Sequence, residues 1–128
     1  MTERDPGSGD ARGRGDVEIE RLEARIALLV PSGGLAGDRL HEALASRVEN
    51  LVSEGVTGLV VDLRAYPMLD SSGLGALIAS HGSAHSGGAK LVLTGVRPSL
   101  HRTLSRAMLL QVMPVYETVE RALVALRT

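Results

Sequence analysis

The sequence predicts an α/β fold, a single compact domain in which about four helices cover a mixed, mostly parallel sheet of four to five strands. Short apolar runs typical of strands alternate along the chain with segments whose apolar residues recur every three or four positions, as they do on one face of a helix. Such alternation favours parallel strands joined by helical crossovers. The chain has 128 residues, enough for one hydrophobic core but not for two.

The composition argues against several classes of function. Fourteen basic and fifteen acidic residues leave no basic stripe to follow a phosphate backbone, and two Tyr without Phe or Trp leave few platforms for base stacking. No apolar run reaches membrane-spanning length, and the first sixteen residues are too polar for a signal peptide. Zero cysteines exclude disulfides and thiolate metal sites. We expect a cytoplasmic protein with no nucleic-acid or membrane partner.

Residues 1–16 are predicted to be a disordered tail and residues 17–128 to form the domain. The tail is polar and rich in Gly, so it cannot bury enough surface to offset the entropy of ordering it. Residues 17–30 then indicate two short strands with a tight turn near Glu23 and Ala24. Val17 and Ile19 alternate with charged residues in the first strand, and the second is apolar throughout.

The first helix is predicted to begin at Asp38, a good N-cap residue, and to run to about Glu54. Gly55 follows at the position where helices commonly end in a left-handed residue. The inward stripe of this helix is predicted to contain Leu40, Leu44, Val48, Leu51 and Val52.

The centre of the chain is residues 59–81. It opens with an apolar run that predicts a strand covered on both faces, and Pro67 then ends the ladder because it has no amide hydrogen. Met68 and Leu69 are expected to return to the interior. The next helix is predicted to bury Leu74, Leu77, Ile78 and His81, and to end at Gly87 and Gly88.

The last third is predicted to hold two more strands and two more helices. Residues 90–95 form a buried strand, and residues 112–115 form an edge strand, where Pro114 is tolerated. Ser99 is predicted to cap a short helix, and Thr118 the last one. The short helix is predicted to include Leu100, Leu104 and Met108. The residues expected to face inward in the last helix are Val119, Ala122, Leu123 and Leu126.

Asp70, Ser71, Ser72 and Gly73 lie where a buried segment turns into a helix. Capping explains Asp70, since a side-chain oxygen at a helix start accepts a free backbone amide and contributes about 1 kcal/mol. It does not explain a second Ser and a Gly in the first turn, because Gly costs about 1 kcal/mol relative to Ala in a helix. Small residues there would leave the backbone bare for close approach by another protein. A phosphate on Ser71 would also be tolerated electrostatically at a helix N-terminus.

The sequence supports an enzyme or a metal-binding protein less well than a protein-binding one. A nucleophilic Ser71 would need a positioned base, and the Gly-x-Ser-x-Gly elbow of one hydrolase class is absent. His81 and His85, four residues apart, could chelate a metal, but no third ligand lies nearby in sequence, so a structural role is favoured. Gly73 and Gly75 begin no phosphate-binding pattern. We therefore expect no catalytic residue, no metal and no cofactor.

The chain resembles the STAS domain of bacterial anti-sigma factor antagonists over residues 17–126. The shared features are a buried strand ending in V-D-L, a short loop, D-S-S-G-L-G at a helix start, and the later patterns G-G-x-L-x-L and P-x-Y-x-[ST]-x-E-x-A-L. The resemblance implies a non-enzymatic protein that binds an anti-sigma factor and thereby releases a sigma factor. That partner is usually also a serine kinase that uses ATP and Mg²⁺.

The resemblance also assigns roles to the D-S-S-G corner. It implies that the kinase phosphorylates Ser71 and that a serine phosphatase reverses this. It places the partner contact at residues 70–74, which are Asp70, Ser71, Ser72, Gly73 and Leu74. The alternative is a scaffold subunit of a stress-signalling assembly, in which Ser71 is not a switch.

One departure from the family pattern lies after the second strand. Relatives commonly carry G-x-[Leu/Ile/Val]-Asp there, whereas this chain has Gly33, Gly34, Leu35 and Ala36. The resemblance implies that this acid helps to shape the docking and phosphorylation surface. Ala36 therefore bears on which kinase could act on Ser71, and how efficiently.

Overall fold

The computed structural model describes residues 16–32 and 38–127, without the side chains of Asp16, Asp38, Arg39 and His41. Five strands form one sheet in the order β1-β2-β3-β4-β5. β1 pairs with β2 antiparallel, and the other neighbours are parallel, which confirms the mixed, mostly parallel sheet. The strands are β1 (Asp16–Glu23), β2 (Ile26–Ser32), β3 (Gly58–Asp62), β4 (Lys90–Thr94) and β5 (Val115–Tyr116).

Four α-helices lie within the described ranges, as predicted. They are α1 (Asp38–Ser53), α2 (Ser71–Ser86), α3 (Pro98–Arg106) and α4 (Val119–Arg127), and a short 3₁₀ turn (Leu109–Gln111) follows α3. The predicted tail falls outside the described residues except for Asp16, which begins β1. Ala36 and the side chain of Asp38 also lie outside the described part, so their predicted roles stay predictions.

The helices cover both faces of the sheet. Leu59 and Val61 of β3 belong to the larger core, which contains residues from α1, α2 and α3. Val60, which points the other way, packs with Ala122 of α4 in a smaller core. β3 is buried along its whole length, which confirms the prediction of a strand covered on both faces.

α1 agrees closely with the periodicity of its sequence. Leu40, Leu44, Val48 and Leu51 are buried in the larger core, and Val52 packs against it. Gly55 follows the helix with φ +100°, a conformation that L side chains rarely adopt.

The buried face of α2 differs from the predicted stripe. Leu77 is fully buried, but Ile78 is 50% exposed, and Leu74 and His81 are half-buried. The buried residues are mostly small, namely Gly73, Ala76, Leu77, Ser80 and Ala84. The helices α1 and α2 pack closely together, and at the C-cap of α2 a Cβ at Gly87 would lie 2.3 Å from Cγ1 of Val52 in α1. Small side chains on α2 permit that approach. The spacing of large apolar residues in the sequence does not reveal which small residues are buried.

Several local predictions in the last third are wrong. Ser99 does not cap α3, which begins at Pro98 after Arg97 and receives no side-chain cap from the part of the chain that is described. Met108 lies beyond the helix with φ +60° and is 63% exposed. The edge strand is β5, so residues 112 and 113 are not part of it, although Pro114 still accepts a hydrogen bond from the amide of Leu93.

The last helix is capped as predicted. Oγ1 of Thr118 accepts a hydrogen bond from the amide of Arg121 at 3.0 Å. Of the four residues predicted to face inward, Ala122 is fully buried, and Val119, Leu123 and Leu126 are half-buried.

Ser80 provides a test of the packing between α1 and α2. Its Oγ is buried and has no hydrogen-bond partner among the described residues. Because a buried hydroxyl without a partner costs roughly 1–3 kcal/mol, we expect Ser80→Ala to raise the free energy of unfolding by about 1 kcal/mol in urea titrations. A loss of stability would show that this hydroxyl makes a stabilising interaction.

Candidate functional site

The segment between β3 and α2 starts from a buried carboxylate. Asp62 is 1% exposed, and its Oδ1 accepts the backbone amide of Arg64 at 3.0 Å. Its Oδ2 accepts Nε of Arg64 at 2.8 Å and pairs with Nη2 of the same guanidinium. These hydrogen bonds and the charge of Asp62 raise the pKa of the Arg64 side chain above its ordinary value. The carboxylate therefore shapes the first turn after the strand.

The loop is then held from inside and from α3. Leu63 and Tyr66 are buried, and the amide of Tyr66 donates to the carbonyl of Leu63 at 2.9 Å. Nη2 of Arg97 donates to the carbonyl of Arg64, and Oγ of Ser99 donates to the carbonyl of Pro67. The last of these contacts explains Ser99, which the sequence suggested as a cap.

The loop ends differently from the sequence prediction. Leu69 is half-buried and packs against the larger core, but Met68 is 50% exposed instead of buried. An exposed Met next to a helix start adds apolar surface at the corner that the sequence singled out.

Asp70 is the N-cap of α2. It has extended backbone angles, and its Oδ1 accepts the amide of Gly73 at 2.8 Å. The amide of Leu74 donates to the carbonyl of Asp70 at 2.9 Å, which is the first helical hydrogen bond. The prediction that this residue caps the helix is confirmed.

Ser71 and Ser72 are the first two residues of α2, and both are exposed. Neither hydroxyl has a hydrogen-bond partner in the described part of the chain. In particular, no described base contacts Ser71 as a nucleophile would require. The hydroxyls face solvent at the positive end of the helix dipole.

Gly73 has an internal explanation. It is buried, and a Cβ there would lie 3.0 Å from Cδ2 and 3.1 Å from Cβ of Leu69. The glycine thus allows Leu69 to close over the first turn. The prediction that Gly73 leaves the backbone bare for a partner is wrong, because the residue is buried.

The bare backbone lies further along the helix. A Cβ at Gly75 or at Gly82 would meet nothing within 4 Å, and Ile78 between them is 50% exposed. Spacings of four, three and four residues place Ser71, Gly75, Ile78 and Gly82 on one outward stripe of α2. Because Gly costs about 1 kcal/mol relative to Ala inside a helix, these two glycines weaken α2 without serving internal packing. This face is not among the sites predicted from the sequence, although two glycines inside a predicted helix are a signal that can be read there.

His81 and His85 lie side by side on α2. The rings of His81 and His85 stack with centroids 5.9 Å apart, and His81 is half-buried. They line an open cleft of about 430 Å³ with Lys90 and Val112. No group of three or more potential metal ligands occurs among the residues whose positions are described.

No helix in the described part of the chain combines the length and apolar character needed to cross a bilayer.

A sequence model of the STAS domain matches residues 39–122. The chain belongs to the STAS domain family. The anti-sigma F factor antagonist of Paenibacillus polymyxa is 31% identical to it over 112 residues, which cover 87% of this chain and 96% of that protein. This match agrees with the resemblance carried by the D-S-S-G-L-G corner.

Solved structures share the fold of this STAS domain. An anti-sigma factor antagonist from Mycobacterium paratuberculosis superposes with a TM-score of 0.72 at 24% identity, covering 89% of this chain and 95% of that one. SpoIIAA, an anti-sigma factor antagonist solved in its unphosphorylated form, gives 0.71 at 17% identity, covering 87% and 96%. The Bacillus cell-fate determinant SpoIIAA in its phosphorylated form gives 0.64 at 16% identity, covering 84% and 96%.

Gly73 and Gly75 provide a matched test of which glycines in α2 are packed against the rest of the domain and which face solvent. We expect Gly73→Ala to destabilise the domain by about 1–3 kcal/mol, because the new methyl group would press on Leu69. Gly75→Ala should stabilise it by about 1 kcal/mol, since the methyl group would enter open space. Thermal and urea unfolding measure both, and equal effects would contradict the opposite orientations of the two residues.

Proposed function

We propose that this STAS domain is an anti-sigma factor antagonist that binds its partner through the start of α2 and is switched off by phosphorylation of Ser71. The observation that carries the proposal is the position of Ser71. Its hydroxyl is exposed, without a partner among the described residues, at the first residue of a capped helix. The names of the relatives support an anti-sigma factor as partner, and the phosphorylated form of SpoIIAA supports phosphorylation as a regulatory state.

The shape of the corner suits close contact with a protein. Asp70, Ser71 and Ser72 are exposed and short, and Leu74 beside them is half-buried. Gly75 extends this low surface, so a partner's backbone could approach the helix closely. Ile78 and Met68, each 50% exposed, supply apolar area at its margins. A low centre with apolar margins favours a protein partner over a small substrate.

Phosphorylation would act mainly on the complex and little on the fold. A phosphoserine carries about −1.5 to −2 charges at pH 7. At the N-terminus of α2 the helix dipole favours a negative charge. The hydrogen bond from the Gly73 amide to Oδ1 of Asp70 can stay in place. In the complex, the phosphate would occupy space that a closely packed partner needs, and it would add negative charge to the contact. A coupling free energy of about 3 kcal/mol would weaken binding roughly 150-fold, which suffices for a switch.

In this proposal the chemistry belongs to the partners. The anti-sigma factor acts as a serine kinase with ATP and Mg²⁺, and a serine phosphatase removes the phosphate. The STAS domain contributes the hydroxyl and the docking surface and needs no cofactor of its own.

The switch predicts opposite behaviour for two substitutions. Ser71→Ala should bind the anti-sigma factor as tightly as the unphosphorylated protein, whereas Ser71→Asp should bind about tenfold or more weakly, since its single charge only partly imitates phosphate. Titration calorimetry measures both affinities. Ser105→Asp places the same charge at an exposed residue of α3, away from the outward stripe of α2, and is the control. Equal binding by Ser71→Ala and Ser71→Asp would refute the switch.

A separate prediction concerns the outward stripe of α2, at Gly75. Gly75→Ala should weaken binding about threefold to tenfold even though it stabilises the free domain, because the methyl group would hold a partner away. Gly88→Ala is unsuitable as a control, since Gly88 has φ +81°. Ser80→Ala, which is also expected to stabilise the domain but lies at a fully buried position, serves instead. Unchanged affinity in Gly75→Ala would remove this stripe from the interface.

A direct experiment identifies the modification. The protein is incubated with ATP, Mg²⁺ and each kinase-type anti-sigma factor of its own genome, and phosphate is located by mass spectrometry. We expect it on Ser71. If no kinase modifies the protein and light scattering shows a large homo-oligomer, the alternative of a scaffold subunit replaces the switch.

A further inference from the structure

The first turn of α3 is attached to the loop that leads to Ser71. Nη2 of Arg97 lies 2.9 Å from the carbonyl oxygen of Arg64, and Oγ of Ser99 lies 3.1 Å from that of Pro67. The donors follow their acceptors by 33 and 32 residues. The loop is therefore held by a helix other than the one it begins.

The turn between β4 and α3 also closes on the start of this loop. Gly95 has φ +69°, and a Cβ there would lie 2.3 Å from Oδ1 of Asp62 and 2.9 Å from the amide nitrogen of Arg64. That Oδ1 is the atom that accepts the Arg64 amide. Because only a residue without a side chain fits beside this hydrogen bond, the β4–α3 turn and the loop form one packed unit.

The far end of the loop is coupled to the first turn of α2. Leu69 packs onto Gly73 with almost no free space, and Asp70 accepts the Gly73 amide at 2.8 Å. Ser71 lies between these contacts. Only residue 68, which is exposed, separates the restrained residues 64–67 from the contact between Leu69 and Gly73. We therefore expect a shift of the loop to reach the start of the helix.

From these contacts we infer that Arg97 and Ser99 are positioning residues for Ser71. The first turn of α3 sets the course of the loop and so the direction in which the Ser71 hydroxyl meets a partner. The inference rests on the proposed function for the identity of that partner. It goes beyond it by assigning part of the recognition apparatus to a helix that carries no residue of the D-S-S-G motif.

The test removes both hydrogen bonds while leaving the core untouched. The double variant Arg97→Met, Ser99→Ala is compared with Arg102→Met, Ser105→Ala, which makes the same chemical changes at exposed positions of α3. Arg102 and Ser105 are exposed, and neither side chain has a partner among the described residues. Arg97→Lys retains a donor and is the rescue variant.

Amide hydrogen exchange in the isolated protein reports the loop directly. In the double variant we expect the amides of Arg64, Tyr66 and Gly73 to exchange about tenfold faster, because two restraints on the loop are lost. The control should stay within about twofold of the parent, and Arg97→Lys should lie close to the parent. Exchange rates in the double variant equal to those of the control would overturn the inference.

Partner binding is the second readout. Each anti-sigma factor of the same genome is first titrated with the parent protein, and the one that binds is titrated with the variants. We expect the double variant to bind about fivefold more weakly and the control to bind normally. Faster exchange with unchanged affinity would overturn the positioning role. If the parent protein binds none of them, the proposed function fails, while hydrogen exchange still decides whether α3 restrains the loop.

Discussion

The contact between Leu69 and Gly73 is the constraint on which the functional corner depends. It brings a half-buried leucine so close to the first turn of α2 that a methyl group on the glycine would lie 3.0 Å from it. With the loop closed in this way, the carboxylate of Asp70 meets the Gly73 amide and the helix can begin at Ser71. The two serines are then exposed to solvent in the first turn of the helix.

The two faces of α2 serve opposite purposes. Its inner face uses small residues to pack closely on α1, and this packing stabilises the domain. Its outer face uses glycines where nothing inside the protein requires them, which weakens the helix. A helix that gives up stability on its solvent side is consistent with a surface whose shape matters to another molecule. In the proposed switch, the same low surface would make a phosphate on Ser71 effective in displacing a partner.

Parallel strands bring distant loops together at one edge of the sheet. β3 and β4 are neighbours, so the segments after Asp62 and after Thr94 leave the sheet side by side. Asp62, Gly95 and Arg97 meet there, and the loop before Ser71 is shaped by residues from the next βα unit. In this STAS domain, contacts from outside the D-S-S-G motif thus hold the loop that leads to it.

The sequence by itself determined the order of strands and helices, the buried central strand, the end of α1 at Gly55 and the cap at Asp70, because each follows from local periodicity or from the chemistry of a single turn. Only the tertiary structure decided which face of α2 is buried, where Ser99 finds its acceptor and why Gly73 is a glycine. Close packing between helices selects small side chains that hydrophobic periodicity does not register. A hydrogen bond between residues 32 positions apart is created by the fold and leaves no local pattern.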